Sequence, residues 1–80
     1  MKPEEPAGGL EEQLAMVECH IARAGQLVAT QSANVERLRA GGHDASASVA
    51  ERLLRAFEAT LEEHRTHRAS LLRRIAMDDC

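Results

Sequence analysis

His64 and His67 stand three apart in the run EEHRTHR, residues 62–68, among two glutamates and two arginines. Histidines spaced i, i+3 share one face of a helix. Joined by His20, with Glu63 or Cys19 as a further ligand, they are the chain's candidate metal ligands. Bundle metal centres, however, draw on Glu-x-x-His pairs projecting inward from facing helices. The residues three before His20, His64 and His67 are Val17, Leu61 and His64, and neither HExxH nor CxxC occurs. A polar layer is the reading the residues favour. There His64 and Arg68 specify register and oligomeric state, as a polar side chain at a seam position can, while His20 and His67 edge the seam. A pH response lies between the two readings, because imidazoles titrate near neutrality. No cofactor is expected.

Other chemistries find less support. Ser46, Ser48 and Ser70 form no nucleophile arrangement with a histidine, since nothing in the sequence supplies an oxyanion site or a pocket. The chain has 35 apolar residues, but 14 of them are alanine and Phe57 is its one aromatic residue, so few large side chains remain to wall a catalytic cleft. An enzyme is not expected. Net charge is −3, from 13 acidic residues against 10 Lys and Arg, whereas duplex binding calls for a basic face. One phenylalanine cannot provide a stacking platform for single strands. The arginines from Arg65 to Arg74 make a local basic patch, which reads as solvated helix surface. Cys19 reads as a small packing residue and Cys80 as a thiol at the end of the chain.

In the elements that carry these residues, the composition points to helix throughout. Alanine is the best helix former, with Leu, Arg, Gln and Glu close behind, and strand-favouring residues are few and scattered. The fold class is all-α. Residues 1–9, with both prolines and a Gly-Gly pair, read as a disordered tail. From Leu10 the positions Leu10, Leu14, Val17, Ile21, Ala24, Val28, Gln31, Val35 and Leu38 alternate spacings of four and three, the seam of a helix packed lengthwise on another. The run AGGHD ends it: Gly41 or Gly42 can take the left-handed conformation that closes a helix, and Asp44 can cap the next, with Ser48 and Glu51 as a rival capping box.

A second seam follows at Ala47, Ala50, Leu54, Phe57, Leu61, His64, Arg68, Leu71 and Ile75. The expected organisation is a helix over 10–40, a turn over 41–44, a helix over 45–76 and a short tail over 77–80. So short a turn forces an antiparallel, coiled-coil-like two-helix hairpin. With the turn centred near residues 43–45, Val35 faces Leu53, Gln31 faces Phe57, Val17 faces Leu71 and His20 faces His67. His64 and Arg68 then face Ile21, Ala24 and Gly25, where the glycine leaves room for them. The predicted core is Leu14, Val17, Ile21, Val28, Val35, Leu38, Leu54, Phe57, Leu61, Leu71 and Ile75. Glu11, Glu12 and Glu18 lie toward Arg73 and Arg74, and Glu51–Arg55 and Glu62–Arg65 pair within the second helix.

The stretch from His20 to Leu72 resembles a set of short uncharacterised bacterial helical-hairpin proteins. The matching residues are His20, Gly25, Gln31, Gly42, Asp44, Leu54, Phe57, His64, His67 and Arg68. The resemblance implies the hairpin fold and carries no function with it. The run ASAS after the turn departs from the pattern, being poorer in acidic first-turn residues.

A single small core of this size seldom supplies more than a few kcal/mol, and oligomerisation is a common remedy. Met16, Leu27, Val49, Leu53 and Leu72 lie off the strict seam and would bury against a second hairpin, making a homodimeric four-helix bundle. No apolar run approaches the roughly 18 residues of a membrane span, and the start MKPEEPAGG lacks the apolar core of a signal peptide. The expectation is a cytoplasmic protein with reduced thiols, acting as a self-associating structural or protein-interaction module, with a larger protein as the other partner class. The alternative is a metal-binding or pH-responsive bundle using His20, His64 and His67.

Overall fold

A computed structural model describes residues 9–78, and they form two helices, α1 (Leu10–Ala40) and α2 (Asp44–Asp78), packed side by side. At 1.5 Å per residue, 31 and 35 residues give rods of about 46 and 52 Å. The hairpin is therefore a plank of 58 × 28 × 14 Å. Its radius of gyration is 17.8 Å, where a compact domain of this length has about 11–12 Å. No helix among the described residues is long and apolar enough to cross a membrane.

Both helices persist because almost nothing in them opposes helix. α2 contains neither glycine nor proline, and α1 contains Gly25 alone. α1 starts from Gly9, whose carbonyl accepts the Gln13 amide at 3.1 Å. No side chain caps this end. Glu11 and Glu12 in the first turn, and Arg37 and Arg39 in the last, instead place charge of the favourable sign at each pole of the helix dipole. The expected disordered segment 1–9 lies outside the described residues except for Gly9, which opens α1. Cys80 lies outside them as well. At the other end α2 runs through Met77 and Asp78, two residues past its predicted limit.

The turn is tighter than the sequence suggested. Gly42 has φ +81°, and three bonds close α1 around it: Gly41 N–H to Arg37 O at 3.1 Å, Gly42 N–H to Arg39 O at 3.1 Å, and His43 N–H to Leu38 O at 2.9 Å. The last two are the 5→2 and 6→1 bonds of a Schellman motif. A Cβ at Gly42 would cost about 1–2 kcal/mol in this conformation. The His43 carbonyl then accepts the Ala47 amide at 2.9 Å, so His43 both closes α1 and opens α2. This corrects the caps predicted from the sequence. Asp44 is the first residue of α2, where its carboxylate meets the positive end of the dipole, and Ser48 and Glu51 lie inside the helix.

The seam forms where the spacing places it. Val17, Ala24, Val35, Ala47, Ala50, Leu61 and Leu71 are buried. Leu14, Ile21, Val28, Leu38, Leu54, Phe57 and Ile75 are half-buried beside them. Three of the seven buried residues are alanines, which bring the helices close but remove little apolar area from water. Among the described residues no polar or charged side chain is fully buried.

Leu71 is fully buried, and truncating it leaves a void in the seam. Leu71→Ala is expected to cost about 2–5 kcal/mol. Chemical denaturation followed by circular dichroism measures this, and an unchanged midpoint would contradict the seam.

Candidate functional site

A turn centred on Gly42, rather than on residues 43–45, changes which residues meet. Moving the centre back by about two residues brings the α2 partner of any α1 residue about one helical turn closer to the chain's middle. His20 consequently meets His64, not His67: the two imidazoles stack with ring centroids 5.2 Å apart and planes inclined by 26°. Arg68, expected against Ile21 and Gly25, reaches Glu18, its Nε donating to Oε2 at 3.2 Å. Glu18 is thus held by Arg68 rather than by Arg73 or Arg74.

The polar layer is also rearranged. Arg68 is exposed and His64 half-buried, so the two do not form a buried pair. The polar link across the seam is Gln31, whose Nε2 donates to the Ala50 carbonyl at 2.9 Å in a partly buried position. A carbonyl has two lone pairs, so Ala50 can take this bond beside the one it makes within its own helix. Gln31 was expected against Phe57. Because a side-chain amide finds this acceptor at one axial setting of the helices, the bond helps fix their register.

Near the turn, Arg39 of α1 hydrogen-bonds Glu51 of α2, and Arg55 approaches the other oxygen of the same carboxylate at 3.6 Å. Arg65 lies 3.8 Å from Glu62 within α2. The two intrahelical pairs are those predicted from spacing, while Arg39–Glu51 and Arg68–Glu18 were not foreseen. Their signal was present, as opposite charges flanking two seams, but it becomes specific only once the turn is placed. Each is exposed and contributes about 0.2–1 kcal/mol, screened by salt.

The metal hypothesis required His20, His64 and His67 to converge. Only the first two do; His67 is exposed one turn further along α2. Among the described residues no group of three His, Cys, Asp or Glu side chains is arranged to hold a metal ion. Cys19 is a free, exposed thiol rather than a packing residue. Ser46 and Ser48 are exposed and Ser70 is half-buried. Two surface hollows, one lined by Arg23, Gln26, Leu27 and Thr30 and one by Ala59, Glu62, Glu63 and Thr66, each belong to a single helix and are open grooves.

Gly25, assigned above to make room for His64 and Arg68, faces nothing: a Cβ built on it meets no atom within 4 Å. The earlier turn explains this, since it carries both side chains past that position.

Comparison of the chain with protein-family models, with curated proteins and with solved structures finds no match. The functional reading therefore rests on the hairpin's own surfaces.

Two substitutions test this geometry. His64→Leu replaces a half-buried imidazole by an apolar side chain on the seam, and stability is expected to hold or to rise by up to about 1 kcal/mol. A loss of several kcal/mol on thermal unfolding would show that the stacked pair belongs to a stabilising network. Gly25→Ala relieves a flexible point inside α1, with an expected gain of about 0.4–1 kcal/mol in the same assay. A loss would mean that another chain packs against that site.

Proposed function

We propose that the protein is a cytoplasmic, non-enzymatic interaction module that self-associates as a homodimer of hairpins, forming a four-helix bundle. The observation that carries this reading is the set of large apolar side chains left in water. Met16, Leu27, Val49, Leu53, Leu72 and Met77 are each between 40% and 73% exposed. Single exposed apolar residues are ordinary on a protein surface. Six on so thin a plank, whose own core is seven residues and largely alanine and valine, are a larger share than the hairpin can bury by itself. Pairing two planks covers these side chains and gives each hairpin the second layer that a small helical domain commonly acquires through oligomerisation. A larger protein offering a helical face is the other partner class for the same surface.

A second reading rests on the His20–His64 stack. Turned out of the stack so that their in-plane lone pairs converge, two imidazoles from each of two hairpins would supply four nitrogen ligands, the number a tetrahedral zinc site takes.

Native mass spectrometry of untagged protein, purified without chelator or nickel resin, separates these readings in one spectrum. A metal-free dimer at low micromolar concentration is the expected result. A stoichiometric metal on each dimer would favour the histidine reading. A monomer at every concentration tested would overturn self-association.

A further inference from the structure

The exposed apolar residues are not spread evenly around the hairpin. With the seam residues of both helices taken as heptad positions a and d, Val17, Ala24, Gln31, Ala50, Phe57 and Leu71 fall at d. In an antiparallel pair, reversal of one helix brings position g beside g and position e beside e. The plank therefore has two broad faces, one built from e and b positions and the other from g and c. Contacts across the seam follow this division. Arg39 and Glu51, both at e, pair on the first face, and His20, at g, stacks on His64 on the second.

Ion pairs Arg39–Glu51, Arg55–Glu51, Arg65–Glu62 and Arg68–Glu18 all engage side chains of the e and b face. On that face Leu72 is the one exposed large apolar residue among the described residues. Met16, Val49 and Met77 at c, and Leu27 and Leu53 at g, lie on the other. The ion pairs and most of the exposed large apolar side chains thus lie on opposite sides; Arg23, Arg37 and Glu63 at c and Arg74 at g are the charges that border the apolar set.

We infer that the g and c face is the self-association surface, occupied by the same face of a second copy of this chain; the inference rests on the self-association proposed above. The dimensions fit that occupant. Two helices about 50 Å long and about 10–12 Å across present a face of about 1,000–1,200 Å² in projection, so covering most of it supplies the roughly 800 Å² per partner of a standard interface. An isologous pair needs a surface complementary to itself. Aliphatic side chains meeting aliphatic side chains satisfy that condition, whereas the opposite face would set its ion-paired network against an identical one. Face-to-face stacking also puts the His20–His64 stack inside the interface and leaves the ion pairs on the outer surfaces of the bundle.

The experiment compares the full chain with two variants by sedimentation equilibrium, with circular dichroism confirming that helix is retained. Leu27→Glu combined with Leu53→Glu places charge on the proposed surface at two side chains that the hairpin itself leaves about half exposed. Leu72→Glu does the same on the opposite face. The expected result is that the double variant dissociates at least tenfold more readily than the wild type, while L72E associates like the wild type. If the wild type dimerises and L72E alone weakens it, the assigned face is wrong and self-association stands. Equal weakening by both variants, or by neither, also overturns the assignment. A wild type monomeric throughout sinks both conclusions. Should the glutamates unfold the chain, Leu27→Ala with Leu53→Ala, set against Leu72→Ala, provides the same comparison, with only the first pair expected to weaken the dimer.

Discussion

Three residues between the helices, Gly41 to His43, govern the rest of the hairpin. The positive φ of Gly42 and the two Schellman bonds around it set where α1 stops, and the His43 carbonyl sets where α2 begins. With no residue to spare, the turn leaves the helices a single axial offset. Every cross-seam contact then follows from that offset: Arg39 with Glu51, Gln31 with Ala50, His20 with His64, Glu18 with Arg68. A turn two residues further along would have brought His20 to His67 and left Gly25 under a bulky neighbour. The histidine site is thus a consequence of backbone geometry some 20 residues away.

The seam that the turn aligns is narrow. Alanines at Ala24, Ala47 and Ala50 allow close helix approach at the expense of buried area, and Val17, Val35, Leu61 and Leu71 are the larger buried side chains. Gln31 adds specificity more than strength, because its amide must find the Ala50 carbonyl in one register. Such a core orders two helices while burying little of their surface. The informative surfaces are consequently the two broad faces. The ion pairs engage one, and all the exposed large apolar side chains but Leu72 lie on the other, beside Arg23, Arg37, Glu63 and Arg74.

The all-helical fold, the hairpin and both seams were legible in the sequence because periodicity of three and four is a local property, sustained over nine positions in each helix. Pairs within α2, Glu51–Arg55 and Glu62–Arg65, were legible for the same reason. The cross-helix pairs were not. They depend on the centre of the turn, and AGGHD offers two glycines, with Asp44 and the Ser48–Glu51 box as rival caps, so its chemistry alone does not select among them. An error of two residues there displaces a partner by a full helical turn. That displacement is why Arg68 was assigned to Ile21 and Gly25 instead of Glu18, and why the polar layer was given to His64 and Arg68 while the amide of Gln31 holds the seam.

The histidines and the apolar face turn out to be one question. His20 lies at a g position and His64 at d, which leans toward g, so the stack sits on the same side of the plank as Leu27 and Leu53. If two copies meet there, the stack passes from a half-solvated edge into an interface. The rings then leave solvent together with Leu27 and Leu53, so a change at His20 reads the contact as well as the stack. Were the copies to meet through the ion-paired face instead, the rings would stay on the outside of the bundle, and the stack and the contact would respond to substitution independently.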